Sequence, residues 1–233
     1  MHFLEQILSF AKTDPEKLAI IYENDALTFA ELAQQVAMAQ SSFNASGVEK
    51  GQAVALVVSN PLQRLPALLA LIGMGVTTIN CIETSTLPAV ALGASTFITG
   101  RQLALPANCR QIIVDHKWNS DGQNHKIMQA LFDQDQPAAV WFSSGSTGMP
   151  RAIASSWLGL VNLVANRQWR TKCARYERVA IAPALSIYFG CSEALSFLAS
   201  GVTVVSLHSP ADILQTAELL AFDYLVMSAA QMK

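Results

Sequence analysis

A mainly parallel α/β fold, with its sheets flanked by helices, is what this sequence of 233 residues predicts, and three observations predict it. Short apolar-rich runs such as Val202–Leu207 read as strands, and the unbroken one, Ala53–Val58, as a strand buried on both faces. Helix-start and helix-stop residues fall between those runs. The two patterns alternate from end to end, as strands joined by crossover helices require.

Taken in order, Thr28-Phe29-Ala30-Glu31 is a capping box that opens a helix running to about Ala45, with Gly47 ending it. Ala53–Val58 is a strand, and Asn60-Pro61 starts a helix with cap and first-turn proline in order. That helix ends near Gly73–Gly75, and Val76–Ile82 returns as strand. Thr96–Ile98 and Gln111–Val114 are further strands, His125–Phe132 is helical, and Ala138–Phe142 is strand. Trp157–Trp169 has helical spacing with Ser155 or Ser156 as cap; Val179–Ala182 and Val202–Leu207 flank a helix through Glu193–Ala199. Ala211–Ala221 is a helix and Tyr224–Met227 a last strand. The polar stretch Asn119–Asn124 reads as a turn that either joins two lobes, with a junction near 117–124, or decorates one.

Composition narrows the function. Hydrophobic residues make up 52% and charged residues only 14%, against about a quarter in an average soluble chain. Such a balance suits a chain that packs against something else or forms part of a larger body. Net charge is −2, without a basic run or acidic tail, which speaks against nucleic acid and anionic membrane as partners. Cys81, Cys109, Cys173 and Cys191 lie far apart and form no CxxC pair, so they read as reduced, largely buried thiols. His116 and His125 flank the polar stretch, but nothing near them completes a metal-coordinating set, and the metal remains unknown at this level. MHFLEQILSF lacks a Lys or Arg n-region and is not a signal peptide. Leu65–Ile82 is long and apolar, but Pro66, two glycines, two threonines and Asn80 make it a buried helix and strand rather than a membrane span. The expected setting is cytoplasmic.

Residues Ala138–Ile153 carry the chemistry. An apolar strand empties into Ser143-Ser144-Gly145-Ser146-Thr147-Gly148, followed by Met149-Pro150-Arg151. Two glycines free backbone amides to face a ligand, four hydroxyls add donors, and a cation closes the loop. That donor set suits a polyphosphate, because an anion gains from several short hydrogen bonds at once. A Walker loop is excluded, since no Lys-Ser or Lys-Thr follows the second glycine and Ala152–Ala154 reads as strand. Gly73-Met74-Gly75 follows a helix and lacks the third glycine of a dinucleotide fingerprint. An amidase-signature serine hydrolase would need a lysine base upstream, and the closest, Lys50, stands beside a helix-ending turn. A plain Ser/Gly linker would not be framed by two apolar strands.

Phe142–Arg151 resembles the phosphate-loop signature of the adenylate-forming (AMP-binding) superfamily, which includes acyl-CoA synthetases and nonribosomal peptide synthetase adenylation domains. Leu27–Leu32, Gly47–Ala55, Leu71–Val76, Ala182–Ser186 and Leu198–Val205 resemble further family segments in the same order. The resemblance implies a two-step reaction. A carboxylate attacks the α-phosphate of Mg-ATP, releasing pyrophosphate; then the thiol of coenzyme A or of a carrier protein's phosphopantetheine takes the acyl group. It assigns Ser143, Ser144, Gly145, Ser146, Thr147, Gly148 and Arg151 to the phosphates, with Arg151 in place of the more usual lysine. It also places Ser186, Tyr188 and Gly190 in an acyl-pocket wall, although Ile187-Tyr188-Phe189 taken alone reads as helix-start core.

By the same resemblance, Trp157 stands where many relatives carry histidine shortly after the loop, and Ser186 where many carry a histidine or an aromatic gate near the acyl site. The chain stops before the family's adenine-binding motif, ribose-binding aspartate, hinge and C-terminal lysine, so no catalytic residue is assigned within it. The expectation is therefore the incomplete N-terminal part of a ligase's large domain, without turnover alone and completed by the remainder of its own fold. A degenerate module kept for binding or assembly is the rival.

Overall fold

The computed structural model describes residues 2–82, 89, 90, 92–114, 127, 129, 133, 135–143, 151–207, 221–229 and 231. The chain forms two compact units, Gln34–Leu160 and a discontinuous one made of Met1–Ala33 with Val161–Lys233. The expected lobe junction at 117–124 and most of the helices expected at His125–Phe132 and Ala211–Ala221 lie outside the described residues.

The contiguous unit is built on a six-stranded sheet. Its strands are β3 (Ala53–Val57), β4 (Thr77–Asn80), β5 (Thr96–Thr99), β6 (Arg110–Ile113), β7 (Pro137–Ser143) and β8 (Arg151–Ser156), in the order β6-β5-β3-β4-β7-β8. All neighbours are parallel except β7 and β8, which form an antiparallel hairpin. Ala55, Val57, Ile79, Phe97 and Val140 gather into one buried cluster. Helix α3 (Pro61–Gly73) opens as the sequence predicts: the Asn60 side chain accepts from the Leu62 amide at 2.9 Å, and Pro61 fills the first turn. Nearly every residue of α3 is buried, which explains the long apolar passage without a membrane. Among the described residues no helix is long and apolar enough to cross one.

The discontinuous unit holds a five-stranded sheet. Its strands are β1 (Leu18–Tyr22), β2 (Asp25–Thr28), β9 (Arg178–Ile181), β10 (Thr203–Ser206) and β11 (Tyr224–Val226), in the order β11-β9-β10-β1-β2. Only the β1–β2 pair is antiparallel. Helix α1 (Phe3–Thr13) buries Phe3, Leu4 and Ile7, and Phe10 meets Phe29 with ring centroids 5.2 Å apart. The Thr28–Glu31 capping box forms in both directions, at 2.7 and 3.1 Å, at the start of α2 (Phe29–Ala45). Helix α4 (Trp157–Thr171) begins where Ser156 accepts from the Gly159 amide at 3.1 Å.

Helix α5 runs from Tyr188 to Leu198, beginning where Ile187-Tyr188-Phe189 reads as a helix start. Gly190 stands in its first turn. Any Cβ there would stand 2.4 Å from the carbonyl oxygens of Pro183 and Ala184, so glycine alone lets the helix's first turn close on the preceding bend. Residues 190–198 are buried throughout, and Glu193 reaches the guanidinium of Arg167 on α4 in a partly buried ion pair.

Candidate functional site

Hairpin β7–β8 carries the segment singled out by the sequence. Strand β7 runs parallel to β4, so its last residue, Ser143, comes out at the carboxyl end of the parallel sheet, where open α/β sheets bind ligands. Arg151 pairs with Ser143 across the ladder and is exposed on the edge strand β8. The hairpin thus holds Ser143 and Arg151 at the two mouths of the loop. Ser144, Gly145, Ser146, Thr147 and Gly148 lie outside the described residues, as does the Ser143 side chain.

Beneath those mouths, β4 ties β7 in place with side chains as well as ladder bonds. Thr77 donates to the Pro137 carbonyl at 2.6 Å, Thr78 to Ala138 at 3.3 Å, and the Asn80 amide nitrogen to Val140 at 3.3 Å. Asn80 is oriented by Arg64. The Arg64 guanidinium, only 1% exposed, donates to Asn80 Oδ1 at 2.6 Å and to the Val58 carbonyl at 2.9 Å. Because Arg64 is donor-only, Asn80 must turn its oxygen toward it and its NH₂ toward β7. A buried guanidinium is costly unless its protons are bonded, so this unit fixes the carboxyl ends of β3, β4 and β7 together.

Neither Arg64 nor Asn80 figures among the site residues that the sequence suggests. The available signal was a lone arginine and a lone asparagine inside the apolar passage Leu65–Ile82 and its lead-in. Cys81 follows Asn80, and burial pushes its thiol up to about 11, which leaves it protonated and chemically quiet at neutral pH. None of the four cysteines is joined in a disulfide.

Ser186, Tyr188 and Gly190 belong to the other unit, on the bend and first turn that follow β9. Ser186 is half-buried and Gly190 buried. The structure corrects one expectation here: Ile187 and Tyr188 are not helix-start core, being 39% and 36% exposed, because the first turn of α5 projects them outward. Phe189 is half-buried, with the Arg167 guanidinium 5.4 Å over its ring. Among the described residues no group of three or more His, Cys, Asp or Glu gathers at metal-binding distance.

The family model for AMP-binding enzymes matches residues 8–225. Among curated proteins, the 2-succinylbenzoate–CoA ligase of Bacillus pumilus (strain SAFR-032) is 23% identical over 89% of this chain and 44% of its own length. Human long-chain fatty acid transport protein 6 is 26% identical over 76% of the chain and 33% of itself. Surfactin synthase subunit 2 of Bacillus subtilis (strain 168) is 23% identical over 83% of the chain and 6% of itself. The chain therefore spans less than half the length of these relatives. The solved structure of O-succinylbenzoate coenzyme A synthetase from Bacillus subtilis in complex with AMP superposes with a TM-score of 0.81 at 21% identity, covering 99% of this chain and 49% of that one. The same synthetase in complex with ATP and magnesium ion gives 0.75 at 21% identity, over 94% and 62%. These likenesses establish the fold.

Proposed function

We propose, for a chain that belongs to the AMP-binding enzyme family, that it supplies the phosphate-gripping part of an ATP-dependent acid–thiol ligase. The observation that carries this reading is the position of the Ser143–Arg151 segment. It is borne on a hairpin at the carboxyl edge of a parallel sheet, inside the span that the family model matches.

In the first step a substrate carboxylate oxygen bonds to the α-phosphorus of ATP while the bond to the β-phosphate oxygen breaks, giving acyl-adenylate and pyrophosphate. Charge accumulates on the departing pyrophosphate, so donors already aimed there lower the barrier. Ser143, Ser144, Ser146 and Thr147, with the amides of Gly145 and Gly148, are the donors proposed for its oxygens. Arg151 adds a planar cation able to bind two of them at once. This set of hydroxyls, amides and guanidinium suits phosphate rather than a metal, so magnesium would arrive with ATP as its counter-ion. In the second step a thiol sulfur attacks the acyl carbon and AMP leaves. Coenzyme A and a carrier-bound phosphopantetheine are both proposed acceptors, by analogy with relatives named as CoA ligases and peptide synthases. Ser186, Tyr188 and Gly190 are proposed for the acyl side.

ATP–pyrophosphate exchange with a panel of carboxylic acids, run on the full-length ligase, tests the reading. Ser146→Ala combined with Thr147→Ala should depress exchange by about two orders of magnitude, as loss of preorganised oxyanion donors does, with the melting temperature nearly unchanged. Equal loss of exchange and stability would make the loop structural. No exchange with any acid by a well-folded parent would favour a non-catalytic binding module, the reading to which Trp157 in the family's histidine position points. The isolated chain is expected to bind nucleotide weakly and not to turn over.

A further inference from the structure

The carboxyl-terminal end of α4 carries a patch that the phosphate site does not use. Residues 167–178 contain five of the chain's 15 Lys and Arg residues, with Glu177 the one acid among them. No two of the five are adjacent in sequence, which is why no basic run was apparent. Two are committed elsewhere: Arg167 pairs with Glu193, and Arg178 is half-buried at the start of β9. The other three, Arg170, Lys172 and Arg175, are exposed. Lys172 leaves the helix in a left-handed conformation at φ 50°, and Arg175 is held over the Tyr176 ring at 4.7 Å while donating to its hydroxyl at 2.5 Å.

Trp169 belongs to the same patch and is 80% exposed, far more than any other large hydrophobic residue described. Beside it lies a shallow, largely apolar concavity of about 510 Å³, lined by Ala165, Gln168, Trp169, Lys172, Ala174 and Arg175. Part of its lining is fixed in advance, since Gln168 donates to Ser200 at 3.0 Å and to Gln6 at 3.3 Å.

We infer that this patch docks an acidic helix of a partner protein, with one projecting aliphatic side chain seated against Trp169. Tryptophan and arginine are the residues that most often anchor protein interfaces, and a preformed hollow beside an exposed indole is the shape such an anchor needs. The cations Arg170, Lys172 and Arg175 select carboxylates around that side chain and speed encounter. A flat bilayer would leave the hollow unfilled, and a single aromatic among alanines is a thin face for insertion. Three exposed cations are also few for tracking a nucleic acid backbone. The surface is argued from residues outside the phosphate loop.

The test is titration of the full 233-residue chain with a synthetic amphipathic helix carrying a central Leu ringed by Glu, followed by calorimetry and tryptophan emission. Saturable binding with a blue shift is expected. Trp169→Ala should weaken it about tenfold, in the range of an interface anchor. Arg170→Glu with Lys172→Glu should lose the acidic peptide and gain a matching peptide with Lys in place of Glu, at an unchanged melting temperature. The proposal is overturned by absent binding or by equal binding to Trp169→Ala. It is overturned too if phosphatidylserine vesicles or a short DNA duplex compete better than the peptide.

Discussion

Burial divides the four cysteines into two chemical kinds. Cys81 and Cys173 are each pushed up to about 11 by desolvation, and Cys191 is buried on α5, whereas Cys109 is only half-buried. Alkylation needs the thiolate and access to it. Iodoacetamide at pH 8 should therefore label Cys109 first, with Cys81, Cys173 and Cys191 protected until the chain unfolds. Peptide mapping by mass spectrometry reads the order, and early labelling of Cys81 would contradict the buried carboxyl end of β4. The residue types of the phosphate loop were plain in the sequence, because glycines and hydroxyls between two apolar runs have few other uses. The Arg64–Asn80 support was not. Its two members lie 16 residues apart, and only the parallel pairing of β3 with β4 brings them together.

Among the elements, α4 and α5 are joined by the ion pair of Arg167 with Glu193. Glu193 is 9% exposed in its side chain and Arg167 25%, so removing the acid leaves a guanidinium only partly reached by water. Glu193→Gln is expected to cost about 2 kcal/mol in urea unfolding, less than the roughly 3–5 kcal/mol of a fully buried pair because of that residual solvation. Most elements were legible in the sequence: the capping box of α2, the Asn60-Pro61 start of α3 and the strands β3, β4, β7 and β10 all form as expected. Hairpin β1–β2 escaped notice because its turn, Glu23-Asn24, has no glycine, and Glu23 takes φ 54° without one. Helix α1 escaped because His2, rather than Ser, Thr, Asp or Asn, precedes it, although Phe3, Leu4 and Ile7 have helical spacing.

At the scale of the molecule, pairing partners were hidden by distance along the chain. The alternation of strands and helices implied parallel sheets, but not that β1 would lie between β2 and β10, since no local pattern encodes a neighbour so remote. The Thr203 hydroxyl donates to the Leu18 carbonyl across 185 residues. Closing so long a loop carries an entropic cost that the contiguous unit, Gln34–Leu160, largely avoids. Pulsed hydrogen exchange during refolding should therefore protect the amides of β3, β4 and β5 before those of β1 and β10. Simultaneous protection of both sheets would refute that order.

The same separation has a meaning at the ribosome. Ile20 and Ile21 leave the exit tunnel long before Val204 and Val205, the residues they come to lie against, have been translated. At roughly 5–20 residues per second, that is an interval of about 10–40 s in which an oily strand has its hairpin partner β2 on one edge and nothing yet on the other. Holding chaperones have that window to act, and slowing elongation across the middle of the message would lengthen it.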